Sequence, residues 1–67
     1  NINRNILLAD METYSKSIQE GGILFLSGFY SQDVEILEAE CKLYDLYLTD
    51  VETKDNWAAM RLVKKSK

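Results

Sequence analysis

With 67 residues, the chain has room for one small domain. A domain of this size buries only about 60% of its unfolded surface, so it depends on close packing or on a partner. One cysteine and no histidine exclude an intramolecular disulfide bond and the common zinc-site spacings. A formal net charge of −3 argues against a broad phosphate-binding surface, and no apolar run approaches the roughly 20 residues of a membrane helix. We therefore predict a cytoplasmic chain without direct contact to nucleic acid or membrane.

The charges are unevenly distributed along the chain. Half of the positive residues lie at the C-terminal end: Arg61, Lys64, Lys65 and Lys67. Everything before Arg61 is distinctly acidic. We interpret the acidic residues as solvated helix faces and the lysines as a frayed tail.

The first predicted element is a helix that begins near Asn5. Apolar residues recur at four, three and four residues, which places them on one side of a helix. These residues are Leu7, Met11, Tyr14 and Ile18. Gly21 and Gly22 supply the stop. The chain opens with Asn1 instead of methionine and enters this helix directly, which favours a fragment of a longer protein.

A strand follows in the stretch GGILFLSGFY, residues 21–30. Ile23 to Leu26 form an unbroken apolar run, which is typical of a strand that is covered on both faces. We therefore predict a central strand flanked by helices, with a turn at Phe29 and Tyr30.

Ser31 is the predicted N-cap of a second helix. Its apolar stripe recurs at three, four and three residues and consists of Val34, Leu37, Cys41 and Tyr44. Glu38 and Lys42 are four residues apart in the favourable order. Cys41 lies on the stripe, and we interpret it as core filler because no histidine or other base accompanies it.

The remainder predicts a β-hairpin. Leu46 to Thr53 is the first strand, Lys54-Asp55-Asn56 a polar turn and Trp57 to Val63 the return strand. In the first strand, alternation places Tyr47, Thr49 and Val51 on one face and Leu46, Leu48 and Asp50 on the other. In the return strand, Trp57, Ala59, Arg61 and Val63 alternate with Ala58, Met60 and Leu62.

This order resembles the closing half of a class I methyltransferase sheet, in which the last strand lies between the two before it. Asn1-Ile2, GGILFLSGFY and Asp55-Asn56-Trp57-Ala58 together resemble the C-terminal part of the bacterial methyltransferases that modify large-subunit ribosomal protein eleven. The resemblance covers essentially the whole chain. It implies an α/β fold, the C-terminal half of a Rossmann-like methyltransferase sheet, with residues 1–67 as a single partial domain.

That family transfers methyl groups from S-adenosylmethionine to lysine side chains and to the terminal amine of its ribosomal substrate. The resemblance therefore implies a protein N-methyltransferase with a ribosomal protein as its partner. The family's glycine-rich cofactor loop and its ribose-binding acidic residue lie on earlier strands. We accordingly expect this chain alone to bind no S-adenosylmethionine and to be inactive.

Asn1 is the predicted catalytic and cofactor-contacting residue. Methyl transfer to nitrogen needs a deprotonated amine held close to the methyl group. The amide oxygen of an Asn can accept hydrogen bonds from that amine and so orient the amine's N–H bonds. The resemblance places Asn1 at the tip of an earlier strand, against the cofactor. Amine methyltransferases with an Asn-Pro-Pro-Tyr signature use an Asn here, whereas this chain reads Asn-Ile-Asn-Arg. The alternative for Asn1 is a simple helix cap.

Three aromatic residues are the predicted substrate-binding positions. Phe29 and Tyr30 leave the carboxyl end of the strand, the edge at which open α/β sheets bind ligands. Trp57 enters the hairpin at the same edge. Packing over the second helix is the alternative for Phe29 and Tyr30, and a half-buried core position is the alternative for Trp57. No metal site is predicted.

A different functional class also fits the sequence. The chain can be read as a small, stand-alone, acidic α/β module that binds a partner protein, in which case its gene would be complete at about this length. As a fragment, it would lack neighbouring strands and expose a strand edge. We predict that the fragment self-associates through that edge.

Overall fold

A computed structural model describes residues 4–66. The elements are α1 (Arg4–Lys16), β1 (Ile23–Tyr30), a 3-10 turn (Ser31–Asp33), α2 (Val34–Leu43), β2 (Leu46–Lys54) and β3 (Trp57–Lys64). The predicted α/β class and the order helix, strand, helix, strand, strand are confirmed.

The strands form one antiparallel sheet in the order β1-β3-β2. The last strand thus lies between the two before it, as the resemblance implied. Within residues 4–66, β1 lies at an edge of the sheet and pairs with β3 alone, which is the exposed edge expected of a fragment, and a central position of β1 in a longer sheet stays a prediction. An unbroken apolar run also arises when only every second residue is buried.

The sheet has two unlike faces. The inner face carries buried residues such as Leu26, Met60 and Leu62, which pack against both helices. The outer face consists of the cross-strand rows Ile23–Val63–Tyr47, Phe25–Arg61–Asp50, Ser27–Ala59–Glu52 and Tyr30–Trp57–Lys54. No helix of residues 4–66 covers the outer face, where Phe25 is 72% exposed. The expected cover on both faces is therefore not found in the described part of the chain.

α1 is shorter than predicted, because it ends at Lys16. Leu7 and Met11 are buried as expected, whereas Ile18 packs against the core from beyond the helix. The Ser17 hydroxyl donates to the Tyr14 carbonyl at 2.9 Å and so satisfies one of the free carbonyls at the helix end. The end of α1 is thus set by local polar bonds before the glycine pair is reached.

The stripe predicted for α2 is confirmed, with Leu37 and Cys41 fully buried. The Glu38–Lys42 ion pair forms at 3.8 Å. The start of the helix differs from the prediction. β1 continues through Tyr30, a 3-10 turn follows, and α2 begins at Val34 instead of after a Ser31 cap. The Val34 N–H donates to the Ser31 carbonyl, so a backbone bond takes the place of the predicted side-chain cap.

The hairpin lies where it was predicted, but a bulge changes its faces. The register between β2 and β3 shifts between Leu48 and Asp50. One extra residue in a strand inverts the alternation beyond it. Asp50 therefore pairs with Arg61 on the outer face and Val51 pairs with Met60 on the inner face, the reverse of the predicted assignment.

The C-terminal lysines are not all a frayed tail. Lys64 belongs to β3, and its Nζ donates to the carbonyl and the hydroxyl of Ser15 at 2.6 and 2.8 Å. The Ser66 N–H donates to both carboxylate oxygens of Glu20 at 2.9 and 3.1 Å. These bonds, with the nearby charges of Lys64 and Lys65, lower the pKa of Glu20. The tail is tied to the segment after α1.

Candidate functional site

The candidate site lies where β1 ends and β3 begins. Tyr30 pairs with Trp57 across these antiparallel strands. Their rings are stacked, with centroids 4.7 Å apart and an angle of 18° between the planes. Tyr30 is 50% exposed and Trp57 is 44% exposed, so the structure brings these two predicted site residues together and leaves both accessible to a ligand.

A bulge in β1 decides which aromatic residue is accessible. The register with β3 shifts between Ser27 and Phe29, and Gly28 between them has φ +88°, a conformation that favours glycine. The extra residue turns Phe29 to the inner face and Tyr30 to the outer face. Phe29 is 1% exposed and belongs to the core. This position fits the packing alternative, and the substrate role of Phe29 stays a prediction.

The hairpin turn holds Trp57 in place. Asp55 and Asn56 have φ +52° and +72°, the positive values that a two-residue type I′ turn requires. The Asn56 carbonyl accepts a hydrogen bond from the Ser31 N–H at 2.8 Å. This bond joins the turn to the chain that leaves β1. The stacked rings are therefore fixed from both strands.

Two surface depressions border the stacked pair. One has a volume of about 310 Å³ and is lined by Tyr30, Ser31, Gln32 and Asn56. The other has a volume of about 500 Å³ and is lined by Ser27, Gly28, Glu52, Thr53, Lys54, Trp57, Ala58 and Ala59. Sequence reasoning missed the polar residues Ser31, Gln32 and Asn56. The signal that points to them is Asp55-Asn56, a pair suited to positive φ.

The chemistry available at this site is binding. Aromatic faces attract cations such as an ammonium group, and the hydroxyl and amide groups of the smaller depression can donate and accept hydrogen bonds. Asn1, the predicted catalytic residue, lies outside the described residues. Its role stays a prediction.

Cys41 is not a nucleophile. It is fully buried, and its thiol lies 3.6 Å from the Met11 sulfur. Burial raises the pKa of the Cys41 thiol to about 11, and the charges of Glu40 and Glu38 add to the effect. The reactive form of cysteine is the thiolate. Cys41 therefore stays protonated near neutral pH, which confirms the interpretation as core filler.

Among residues 4–66, no group of three or more His, Cys, Asp or Glu side chains is arranged to hold a metal ion. Over the same range, neither helix combines the length and the apolar content needed to cross a membrane.

Curated bacterial proteins match this chain over nearly its whole length. "Ribosomal protein L11 methyltransferase" of Porphyromonas gingivalis is 46% identical over 66 residues, which are 98% of this chain and 23% of that protein. Proteins of the same name from Phocaeicola vulgatus and Bacteroides fragilis are 38% identical over 65 residues and 41% identical over 63 residues. These two matches cover 97% and 94% of this chain, and 23% and 22% of the relatives.

The chain thus spans about a quarter of the length of its curated relatives. No family model matches it. The matches confirm the resemblance that the sequence motifs indicated. The observed sheet and its two helices are compatible with a piece of a class I methyltransferase.

Proposed function

We propose that this chain, which is similar to proteins named ribosomal protein L11 methyltransferase, is part of an S-adenosylmethionine-dependent enzyme that methylates amines of a ribosomal protein. The observation that carries this proposal is the 46% identity over 98% of the chain. The strand order β1-β3-β2 supports it, because the resemblance implied the same insertion of the last strand. The alternative of an independent acidic module explains neither the sequence identity nor the strand order.

In this proposal, the chain does not form the binding site of the methyl donor by itself. In residues 4–66, no buried side-chain nitrogen or oxygen lacks a hydrogen-bond partner, so no polar cradle stands preformed for S-adenosylmethionine. The described glycines are Gly21, Gly22 and Gly28, and they form no glycine-rich loop. The donor site is therefore assigned to other parts of a longer protein, with Asn1 as this chain's proposed contact to it.

In this proposal, Tyr30 and Trp57 form a wall beside the substrate. A lysine or terminal amine arrives as a cation, and a cation within about 6 Å of an aromatic face is attracted by up to about 2 kcal/mol. The methylene groups of a lysine side chain can pack along the same rings. Phe29 contributes to this wall from the core, because its buried side chain fixes the end of β1 at which Tyr30 turns to the outer face.

The first test compares the chain with the longer protein. We expect isothermal titration calorimetry to detect no S-adenosylmethionine binding by residues 1–67, and we expect the longer protein to methylate ribosomal protein L11. Tight cofactor binding by the chain alone would contradict its role as a dependent part. A longer protein that binds the cofactor but leaves L11 unmodified would refute the substrate assignment.

The second arm tests the aromatic wall in the longer protein. Trp57→Ala is expected to lower kcat/KM for L11 by about 5- to 30-fold, the equivalent of about 1–2 kcal/mol of lost cation–π attraction. The Kd of S-adenosylmethionine should stay unchanged. Leu43→Ala is the matched control, because Leu43 is also an exposed large side chain but lies on α2. An equal loss in both variants would remove Trp57 from the substrate site.

A further inference from the structure

The stacked rings of Tyr30 and Trp57 leave two places at which a cation can bind. The ring centroids are 4.7 Å apart and the planes differ by 18°, so each ring covers one face of the other. A cation binds over an aromatic face, and each ring has one such face left. Tyr30 lines the smaller depression of about 310 Å³, whereas Trp57 lines the larger one of about 500 Å³. The residues that line these depressions therefore decide where a substrate amine binds.

The larger depression is a poor place for a cation. Lys54 lines it and is the direct cross-strand partner of Trp57. In the row Tyr30–Trp57–Lys54, Lys54 lies on the side of Trp57 away from Tyr30, where it repels a second cation. Glu52 also lines this depression, but it lies beside Lys54 on the same face of β2. The two opposite charges balance each other and leave no net charge to attract an amine.

The smaller depression suits an amine better. It is lined by Tyr30, Ser31, Gln32 and Asn56, none of which is charged at neutral pH, and the exposed Asp55 adds a negative charge beside Asn56. In the described part of the chain, the side-chain amides of Gln32 and Asn56 have no hydrogen-bond partner. The Ser31 N–H donates to the Asn56 carbonyl at 2.8 Å and so holds the two sides of the depression together. Two amide groups are thus fixed beside Tyr30 and free to bind.

We propose that the substrate amine enters the smaller depression against Tyr30, and that the amide oxygens of Gln32 and Asn56 accept hydrogen bonds from its N–H groups. This inference rests on the proposed function and names further residues of the same site. Methyl transfer needs an amine that has lost a proton and whose lone pair faces the methyl group. Acceptors that hold the N–H bonds fix the direction of the lone pair. An amide oxygen carries no net charge, so it orients the amine without raising the pKa of the amine as a carboxylate does.

Kinetics of the longer protein with ribosomal protein L11 test the inference. Gln32→Ala and Asn56→Gly should each lower kcat/KM about tenfold or more, because each removes a hydrogen bond to the amine. Glycine tolerates the φ of +72° at position 56, so the turn is kept. Gln19→Ala is the matched control, because Gln19 is an exposed glutamine that precedes β1, at the other end of the strand from Tyr30. The Kd of S-adenosylmethionine should stay unchanged in all three variants.

A pH profile separates amine binding from a structural role. In Gln32→Glu, the new carboxylate raises the pKa of the bound amine, so the pH at which kcat reaches half of its maximum should rise by about one unit or more. Gln19→Glu should leave that pH unchanged. Lys54→Gln should change kcat/KM by less than about threefold, because the Lys54 charge lies beyond the stack and is screened by salt.

The outcomes distinguish this inference from the proposed function. If L11 is methylated but the variants at positions 32 and 56 behave like Gln19→Ala, the inference is overturned and the proposed function stands. The same holds if Gln32→Glu and Gln19→Glu share one pH profile, or if Lys54→Gln raises kcat/KM about tenfold, the gain expected when the amine binds over Trp57 beside that charge. A longer protein that leaves L11 unmodified would overturn the proposed function and this inference with it.

Discussion

The two faces of the sheet come from the same strands but show opposite relations to solvent. Phe29 and Phe25 make the difference plain, because both are phenylalanines of β1. Phe29 is 1% exposed and contacts the core, whereas Phe25 is 72% exposed on the outer face. The inner face therefore stabilises the described fold. Among residues 4–66, the outer face with its Tyr30–Trp57 stack is the exposed face of the sheet.

The polar groups follow the same division. On the inner side, the Ser15 hydroxyl donates to the Tyr44 carbonyl at 2.7 Å and accepts from Lys64 at 2.8 Å. On the outer side, Arg61 donates to the Thr49 hydroxyl at 2.7 Å in an exposed setting. Buried polar bonds are costly to break, whereas exposed ones are replaced by water at little cost. The contrast between the faces is thus expected in thermodynamic measurements.

The largest expected effect comes from truncating the two phenylalanines. Phe29→Ala should lower the free energy of unfolding by about 3–5 kcal/mol, because it leaves a cavity in the core. Phe25→Ala should change it by less than about 0.5 kcal/mol, because the ring is largely in water. Urea denaturation followed by circular dichroism measures both values.

A small domain can lose its fold altogether when a core phenylalanine is removed. Phe29→Leu is the milder variant and should still cost about 1 kcal/mol or more. Equal losses at positions 25 and 29 would show that the outer face is as tightly packed as the inner one.

The second prediction uses pH to test the inner face. The pKa of Cys41 is raised from an ordinary 9.0 to about 11 by burial and by Glu40 and Glu38. The unfolded chain therefore loses the thiol proton first as the pH rises, and the contribution to stability, complete below pH 9, is lost between pH 9 and 11. We expect a loss of about 1–2 kcal/mol. That is less than the roughly 3 kcal/mol equivalent to the full pKa difference, because water screens the two half-buried glutamates.

Tyrosines and lysines also titrate in this range, so a reference variant is needed. Cys41→Ala keeps those groups and removes the thiol. The stability difference between the natural chain and this variant should shrink from pH 8.5 to 11. A difference that stays constant would mean that water reaches Cys41 in the folded state.

The parts of the fold that could be predicted from the sequence are those in which buried residues recur at a regular spacing. The stripe Leu37–Cys41 in α2 and the alternation of Ala58, Met60 and Leu62 in β3 were predicted correctly, because burial on one face leaves a regular spacing. The exposure of Ile23 and Phe25 was not, because these residues are as apolar as the partly buried Leu24 and the buried Leu26 beside them. The composition of a strand shows which of its residues are apolar enough to be buried. Which of them are buried in the fold depends on the neighbouring strands.

The edge of the sheet at which the candidate site lies was predicted correctly, but the geometry of the site was not predicted. Trp57 and Tyr30 were assigned to the same end of the sheet, and they do meet there. The burial of Phe29 depends on one extra residue at Gly28, and the outer position of Asp50 depends on another at Thr49. Bulges shift every residue beyond them to the other face. An isolated glycine within a strand pattern suggests a bulge, a signal that the prediction did not use at Gly28, whereas Thr49 carries no such signal.

The smallest expected effect concerns the Tyr30–Trp57 stack on the outer face. Tyr30→Ala, Trp57→Ala and the double variant form a double-mutant cycle. Stacked aromatic pairs contribute about 0.5–1.5 kcal/mol beyond the area they bury, and because these rings are half exposed we expect a coupling of about 0.5–1 kcal/mol by urea denaturation. The cycle of Tyr30→Ala with Leu43→Ala is the control and should be additive within about 0.3 kcal/mol, because these side chains lie on different elements. A Tyr30–Trp57 coupling no larger than the control would mean that the rings move independently in solution. The outer face would then hold no fixed wall for a substrate cation, and binding there would have to order the rings first.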